Sequence, residues 1–216
     1  MKITIIGAGN MGRGIGTRAV AGGHSVTIVD KDLESAQKLA GDLQSAAKKG
    51  ASAKASTLEK LELDEVVVLA VAYGATLDLA KSLGAKLAGK VVVDIANPIN
   101  ATYDGLSIAP GTSSAEELAK VVPVGTKVVK AFNTTFAGTL VAGQVGGIPL
   151  DVLIAGDDES AKQQVAKLVS DGGLVAVDVG ALDRSRQLEG LGLLGITLQL
   201  KHNFGFSTGW KLTHNN

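Results

Sequence analysis

The chain has 216 residues, 45% of them apolar and 19% charged, which is ordinary for a globular protein. Its 21 Lys and Arg balance 21 Asp and Glu, so no net field gathers nucleic acid or an anionic membrane, and neither is expected as a partner. The absence of cysteine excludes disulfides, thiolate metal sites and thiol nucleophiles. Residues 1–6 are too short for the apolar region of a signal peptide, so a cytoplasmic location is expected.

In chain order, a β-branched apolar run at 2–6 predicts a strand, followed by a glycine-rich turn and a helix over 10–21. A strand at 25–29 and a helix at 33–48 come next. Residues 50–56 are small and polar and hold at most a short third strand. Strands at 65–71 and 90–95 flank a helix at 75–87. Ser113-Ser114-Ala115-Glu116 supplies start chemistry for a helix over 114–121, and a strand follows at 127–131.

Residues 131–150 carry no charge, but four glycines, Asn133, Gln144 and Pro149 make them a poor membrane span. They read as a buried strand running into an interior loop or short helix. A strand at 151–155, a helix at 159–170 capped by Asp157-Asp158, and a strand at 174–178 complete the alternation. Alternation of this kind predicts an α/β fold of Rossmann type, a doubly wound, mostly parallel sheet. Residues 1–180 are expected to form the dinucleotide-binding domain, and 181–216 a small C-terminal helix and tail. The leucines from Leu182 to Leu200 crowd more than one helical face, which predicts burial against the first domain, a partner subunit, or both, and a homodimer.

Gly7-Ala8-Gly9-Asn10-Met11-Gly12 lies directly after the first strand and opens the first helix. In that context Gly7 permits the tight turn, Gly9 lets backbone N–H groups approach a pyrophosphate, and Gly12 lets the helix pack on the strand. Asp30 ends the second strand eighteen residues after Gly12, where an acid meets the adenosine ribose hydroxyls and repels a 2′-phosphate. Asp30 therefore favours NAD over NADP, with Lys31 beside it as either a phosphate partner or a solvated charge. Gly16 extends the helix–sheet contact one turn beyond Gly12. Gly14, on nearly the opposite side, predicts that a loop or the C-terminal segment approaches the helix there.

Ligands of doubly wound sheets bind beyond the carboxyl ends of the strands. The loops there read Ala70-Val71-Ala72-Tyr73, Ala96-Asn97-Pro98 and Ala131-Phe132-Asn133-Thr134. Their small residues let a flat cofactor pass close to the backbone, and Asn97 or Asn133 can donate to ribose or carboxamide oxygens. Asn97-Pro98 is read equally as a plain turn, with a cis bond as one way to build it. No catalytic side chain emerges. Four residues after Tyr73 stands Leu77, and after Tyr103 Ser107, so a Tyr–Lys pair at helical spacing is absent. His24 lies in a turn before the second strand and reads as structural. His202 and His214 stand in the tail with no acid nearby, and metal binding has no support.

The segments GAGNMGRGIG, VVDIANP, KAFNTTFAGTL, DVLIAGDDESAKQQVAKLV and GFSTGWKL together resemble the coenzyme F420-dependent NADP oxidoreductase family over essentially the whole chain. The resemblance implies direct hydride transfer between a nicotinamide and a flavin or deazaflavin stacked nearby, with alignment rather than side-chain acid–base chemistry supplied by the protein. It places the nicotinamide near Ala72, Asn97 and 132–134, and the second ring against 204–210, where Phe206 and Trp210 stack on it or close the core. The resemblance implies NADP as the dinucleotide, yet this chain departs from the family at Asp30-Lys31, where serine and arginine suited to the 2′-phosphate are typical, and at Phe132-Asn133-Thr134-Thr135, where a His-Thr pair is usual. The sequence thus predicts an NAD(P)-dependent oxidoreductase passing hydride between nicotinamide and a flat flavin-like, deazaflavin or quinonoid partner. A dinucleotide-binding redox sensor without turnover is the alternative.

Overall fold

A computed structural model describes residues 1–48 and 50–213. The chain runs β1 (Lys2–Ile6), α1 (Asn10–Ala21), β2 (Ser25–Val29), α2 (Leu33–Ser45), β3 (Ser52–Ser56), β4 (Val66–Leu69), α3 (Tyr73–Leu83) and β5 (Val91–Asp94). It continues through α4 (Ser114–Val121), β6 (Lys127–Lys130), α5 (Ala137–Ala142), the hairpin β7 (Gln144–Val145) and β8 (Ile148–Pro149), β9 (Asp151–Gly156), α6 (Glu159–Asp171), β10 (Val175–Gly180) and α7 (Ser185–His202).

Eight strands form one sheet in the order β10-β9-β6-β5-β4-β1-β2-β3. Pairing is parallel from β3 through β6, and antiparallel between β6 and β9. The α5 turn and the β7–β8 hairpin together reverse the chain, so β9 and β10 run opposite to the other six. The short third strand is real: β3 pairs with β2 from Ser25↔Ser52 to Val29↔Ser56 as an edge. The helix expected over 75–87 instead begins at Tyr73 and ends at Leu83, because Gly84 takes φ +48° and the backbone tightens into a 3-10 turn.

Strand residues alternate between two cores. Ile3, Ile5, Val66 and Val68 meet Ile15, Leu39, Leu43 and Leu168 on the face of α1, α2 and α6; Ile6, Val67, Leu69 and Val92 meet Leu83, Leu87 and Leu118 on the face of α3 and α4. Burying both faces explains why the central strands read as continuous apolar runs. The expected helix starts form: Ser113 Oγ accepts from Glu116 N–H and donates to Glu116 Oε2, and Asp158 accepts from Ala161 N–H at 2.8 Å. His24 is buried at the opposite end of the sheet from the glycine turn, between the Met1 amine and Asp171. Burial and the neighbouring amine lower its pKa, so it stays a neutral structural group near pH 7.

α7 seats itself mainly through small and polar residues. It buries Ser185, Leu188, Glu189, Gly192, Gly195 and Gln199 against the rest of the chain, while Leu194 and Leu200 remain about half exposed. The buried stripe is the small and polar one. Among the described residues no helix is long and apolar enough to cross a membrane.

Gly14 marks the approach of another element: a Cβ there would stand 2.9 Å from Leu140 Cβ and 3.1 Å from Ala137 O, both of α5. Gly16 serves a different contact from the expected one, since its nearest neighbour is Leu43 of α2 at 2.7 Å, with the sheet's Ile5 farther off at 3.7 Å. Gly14→Val is expected to destabilise the fold by about 1–3 kcal/mol through overpacking against α5. Gly41→Ala, in open space on α2, is expected to stabilise by up to about 1 kcal/mol. Urea unfolding of the two variants checks the contrast.

Candidate functional site

The carboxyl ends of β1, β4 and β5 open onto a cleft of about 350 Å³. Gly9, Asn10 and Met11 at the start of α1 face Ala70, Val71, Ala72 and Asn97 across it, so seven of the expected residues share one wall-to-wall space. Gly7 takes φ +118° at the turn, and a Cβ there would strike the Ala70 carbonyl oxygen; a Cβ on Gly12 would strike the Gly7 carbonyl oxygen. Gly9 opens on free space, with nothing within 4 Å of its Cβ position. No side chain among the described residues caps α1, and its first turn holds no acid. The positive end of the helix and its N–H groups are therefore free for an anion, and the residues present fit the pyrophosphate of a dinucleotide.

Asp30 is tied to the glycine turn. Its Oδ2 accepts from Ala8 N–H at 2.7 Å and its Oδ1 from Asp32 N–H at 3.0 Å, which fixes the carboxylate at the rim of the turn. Lys31 is exposed beside it.

The other expected residues lie behind the cleft. Ala131, Phe132, Asn133 and Pro98 are buried, and the Asn97–Pro98 bond is trans, so the turn is built without a cis bond. Phe132 is held at φ +62° with 1% of its surface exposed, a left-handed conformation unusual for a bulky residue. Asn133 Nδ2 donates to Asn97 Oδ1 at 2.8 Å and to Leu188 O at 2.9 Å, and Asn97 Nδ2 donates back to Asn133 O at 2.8 Å. The Asn97 amide, at the cleft surface, is thus locked in orientation by Asn133 from behind. Gly192 of α7 leaves space for it, because a Cβ there would stand 2.6 Å from Asn97 Oδ1.

Beneath these loops lies a charge cluster that sequence reasoning missed. The Lys130 ammonium, fully buried, donates to Asp94 Oδ2 at 2.8 Å, to Glu189 Oε1 at 2.7 Å and to the carbonyl of Ala96. Asp94 Oδ1 accepts from Ala96 N–H at 3.0 Å, and both Glu189 oxygens accept from Ser114 N–H, at 2.9 and 3.1 Å. Asp94 and Lys130 face each other in strand register. The available signal was a charge ending each of two apolar strands, VVVD and VVK; nothing local announced Glu189. Tyr73, at the end of the β4 loop, also lines the cleft; burial and the carboxylates of Glu117, Glu189 and Asp94 push its phenol upward, so it remains an O–H group near pH 7.

Phe136 lies between two further cavities. One, of about 470 Å³, is bounded by Asn10, Arg13, Val141 and Phe206, with the Phe206 ring edge-on to Phe136 at 5.3 Å. The other is bordered by Trp210. His202 stacks on Phe204 at the exposed end of α7, and His214 lies outside the described residues.

Residues 2–98 match the family model described as NADP oxidoreductase, coenzyme F420-dependent. The F420-dependent NADP reductase of Methanocaldococcus jannaschii is 32% identical over 99% of this chain and 99% of its own length. This chain belongs to that reductase family. A solved structure described as a putative F420-dependent NADP-reductase from an Arthrobacter species agrees in fold at TM-score 0.81, with 26% identity over 99% of this chain and 100% of that one. The rat metalloreductase STEAP3 is 33% identical over 89% of this chain, which spans 36% of that longer protein.

Lys130→Met leaves two carboxylates buried without their cation and is expected to cost about 3–5 kcal/mol in urea unfolding. Burial pushes the Glu189 carboxyl above the usual carboxylate range. The folded protein then holds that proton more tightly than the unfolded chain does, a contribution fully present below the ordinary carboxylate pKa and lost as pH rises through the raised value. Glu189→Gln, always neutral, is expected to gain stability relative to wild type as pH rises through that window. A parallel offset at every pH would contradict this.

Proposed function

We propose that this chain is a cytoplasmic NAD(P)-dependent reductase that prefers NADH and passes hydride directly between nicotinamide and a flat flavin-like, deazaflavin or quinonoid ring. The observation that carries the reading is the cleft itself: an uncapped helix start, a glycine at open space and a locked Asn97 amide line a single groove at the carboxyl ends of three parallel strands. Reduced nicotinamide supplies the hydride when bound, and the chain's own residues bind and align. The N–H groups opening α1 hold the pyrophosphate, Asp30 takes the ribose hydroxyls, and Ala70, Val71 and Ala72 let a flat ring lie against backbone. Asn97, with Tyr73 beside it, orients the carboxamide end, while Phe136, Phe206 and Trp210 supply aromatic surface for the second ring. Residues 1–180 then form the dinucleotide unit and 181–216 complete the acceptor side. The sensor alternative is not favoured, since the near full-length relatives are named reductases.

The NADH preference rests on Asp30, whose carboxylate is pinned at the rim of the glycine turn and would repel a 2′-phosphate bound beside it. Unit charges about 4 Å apart near a protein surface repel by about 4 kcal/mol. Wild type is therefore expected to bind NADH at least about tenfold more tightly than NADPH, and Asp30→Ser to bring the two within about threefold. Asp30→Asn, which still accepts from Ala8 N–H, controls for loss of the turn. Tighter NADPH binding by wild type would sink the preference. Steady-state oxidation of both dinucleotides against flavins, quinones and a deazaflavin tests the reaction, and binding without turnover of any of them would favour the sensor.

The half-exposed Leu194 and Leu200 on the outer face of α7 support a homodimer. Light scattering is expected to give twice the chain mass, falling to the monomer for Leu194→Glu; a monomeric wild type would remove the proposal.

A further inference from the structure

α3 and α4 cover one face of the sheet over β4 and β5, while the same face of β2 and β3 floors a cavity of about 620 Å³. Parallel strands are normally packed, and apolar, on both faces. Here Lys2, Ser25 and Ser52 stand in one register row of the floor, and Thr27 and Lys54 in the next. Polar side chains thus occupy positions where a covering helix would call for apolar ones.

Residues 60–64 form the wall, and they are firmly held. Leu61 and Leu63 are buried, and Lys90 Nζ donates to Leu63 O at 2.8 Å. Asp64 N–H donates to Thr4 Oγ1 at 3.1 Å, and the Thr4 hydroxyl donates back to Asp64 Oδ2 at 2.9 Å. The neighbouring hydroxyl in the same row, that of Thr27, is unused. Thr27 is 5% exposed and lines the cavity; its Oγ1 makes no hydrogen bond among the described residues, yet it is not sealed from the space. A nearly buried hydroxyl without a partner carries a cost that an occupant of the cavity can remove.

Charge points to the class of occupant. Lys2, Lys54 and Lys60 border the cavity, and none of them forms an ion pair among the described residues. Glu62 and Asp64 border it from the wall. Ammonium groups suit a phosphate, while carboxylates and hydroxyls suit the hydroxyls of a ligand. The volume lies within the range of about 300–1,000 Å³ common to small-molecule sites.

We infer that this cavity is a binding site for a small phosphorylated, hydroxyl-rich molecule of the sugar phosphate class. Lys2 and Lys54, on either side of β2, take the phosphate, and Thr27 and Glu62 take hydroxyls. Lys2, Ser25 and Ser52 begin their strands, whereas the dinucleotide cleft opens at the carboxyl ends, so the site is separate from that cleft and independent of the reductase reading.

NMR titration of the ¹⁵N-labelled full chain with glucose 6-phosphate and with ribose 5-phosphate tests the site. At least one of the two is expected to give saturable shifts of the amides at 25–27 and 52–56, and to bind at least about tenfold more tightly than its unphosphorylated sugar or inorganic phosphate. Lys54→Gln is expected to weaken that binding about tenfold, and Thr27→Val about three- to tenfold. Lys38→Gln, an exposed lysine of α2, is expected to leave it unchanged. No saturable shift at those amides with either sugar phosphate overturns the site, as does equal binding of inorganic phosphate by wild type. Those comparisons need no variant to fold. Because no dinucleotide enters the experiment, its failure leaves the reductase reading intact, and a lack of turnover leaves this site intact.

Discussion

The ammonium of Lys130 has all three of its hydrogens spent within the protein, on Asp94, Glu189 and the Ala96 carbonyl, in a place water does not reach. Removing a cation and two carboxylates from water is expensive, and the arrangement is tolerable only because every member is hydrogen-bonded. What it achieves is geometric. Asp94 ends β5, Lys130 ends β6, Ala96 precedes Asn97, Ser114 starts α4 and Glu189 belongs to α7, so four separate segments and the approach to Asn97 converge on one charge. The loop after β5, which carries Asn97 to the cleft, inherits its position from that convergence.

Above this foundation the cleft is shaped by what is left out. Side chains at Gly7 and Gly12 would collide with backbone carbonyls, and the turn closes only because they are missing; at Gly9 the missing side chain leaves a free approach to the helix start. An acid in the first turn of α1 would occupy the positive end of the helix from within, and there is none. Asp30 supplies negative charge a short distance away, at the rim of the turn, so the two signs of field stand close together there.

Much of this was legible in the sequence because burial on both faces writes β4, β5 and β6 as unbroken β-branched runs, and because glycine spacing after β1 has few physical explanations. Seven expected residues do line one cleft. The edge strand β3, Ser-Ala-Lys-Ala-Ser, was nearly invisible: its residues are exposed or half-buried, and an edge needs little apolar area. Gly14 was readable as a contact without a named partner, since α5 comes from a stretch with no periodicity of its own. Glu189 was hidden more completely. Its role depends on a lysine 59 residues away, and it stands among leucines that carry the helical pattern instead.

α7 therefore attaches to the rest of the chain in an uncommon way. A helix seated by a row of leucines can slip along its groove by a turn with modest loss, because one leucine replaces another. Glu189 against Lys130, the Leu188 carbonyl against Asn133 and the bare Gly192 under Asn97 have no equivalents one turn away. Such a helix is keyed to a single register, like a bolt with one slot. The contacts α7 makes with Asn97 and Asn133 are therefore held at one fixed offset, and motion of the C-terminal segment must bend the tail rather than slide the helix.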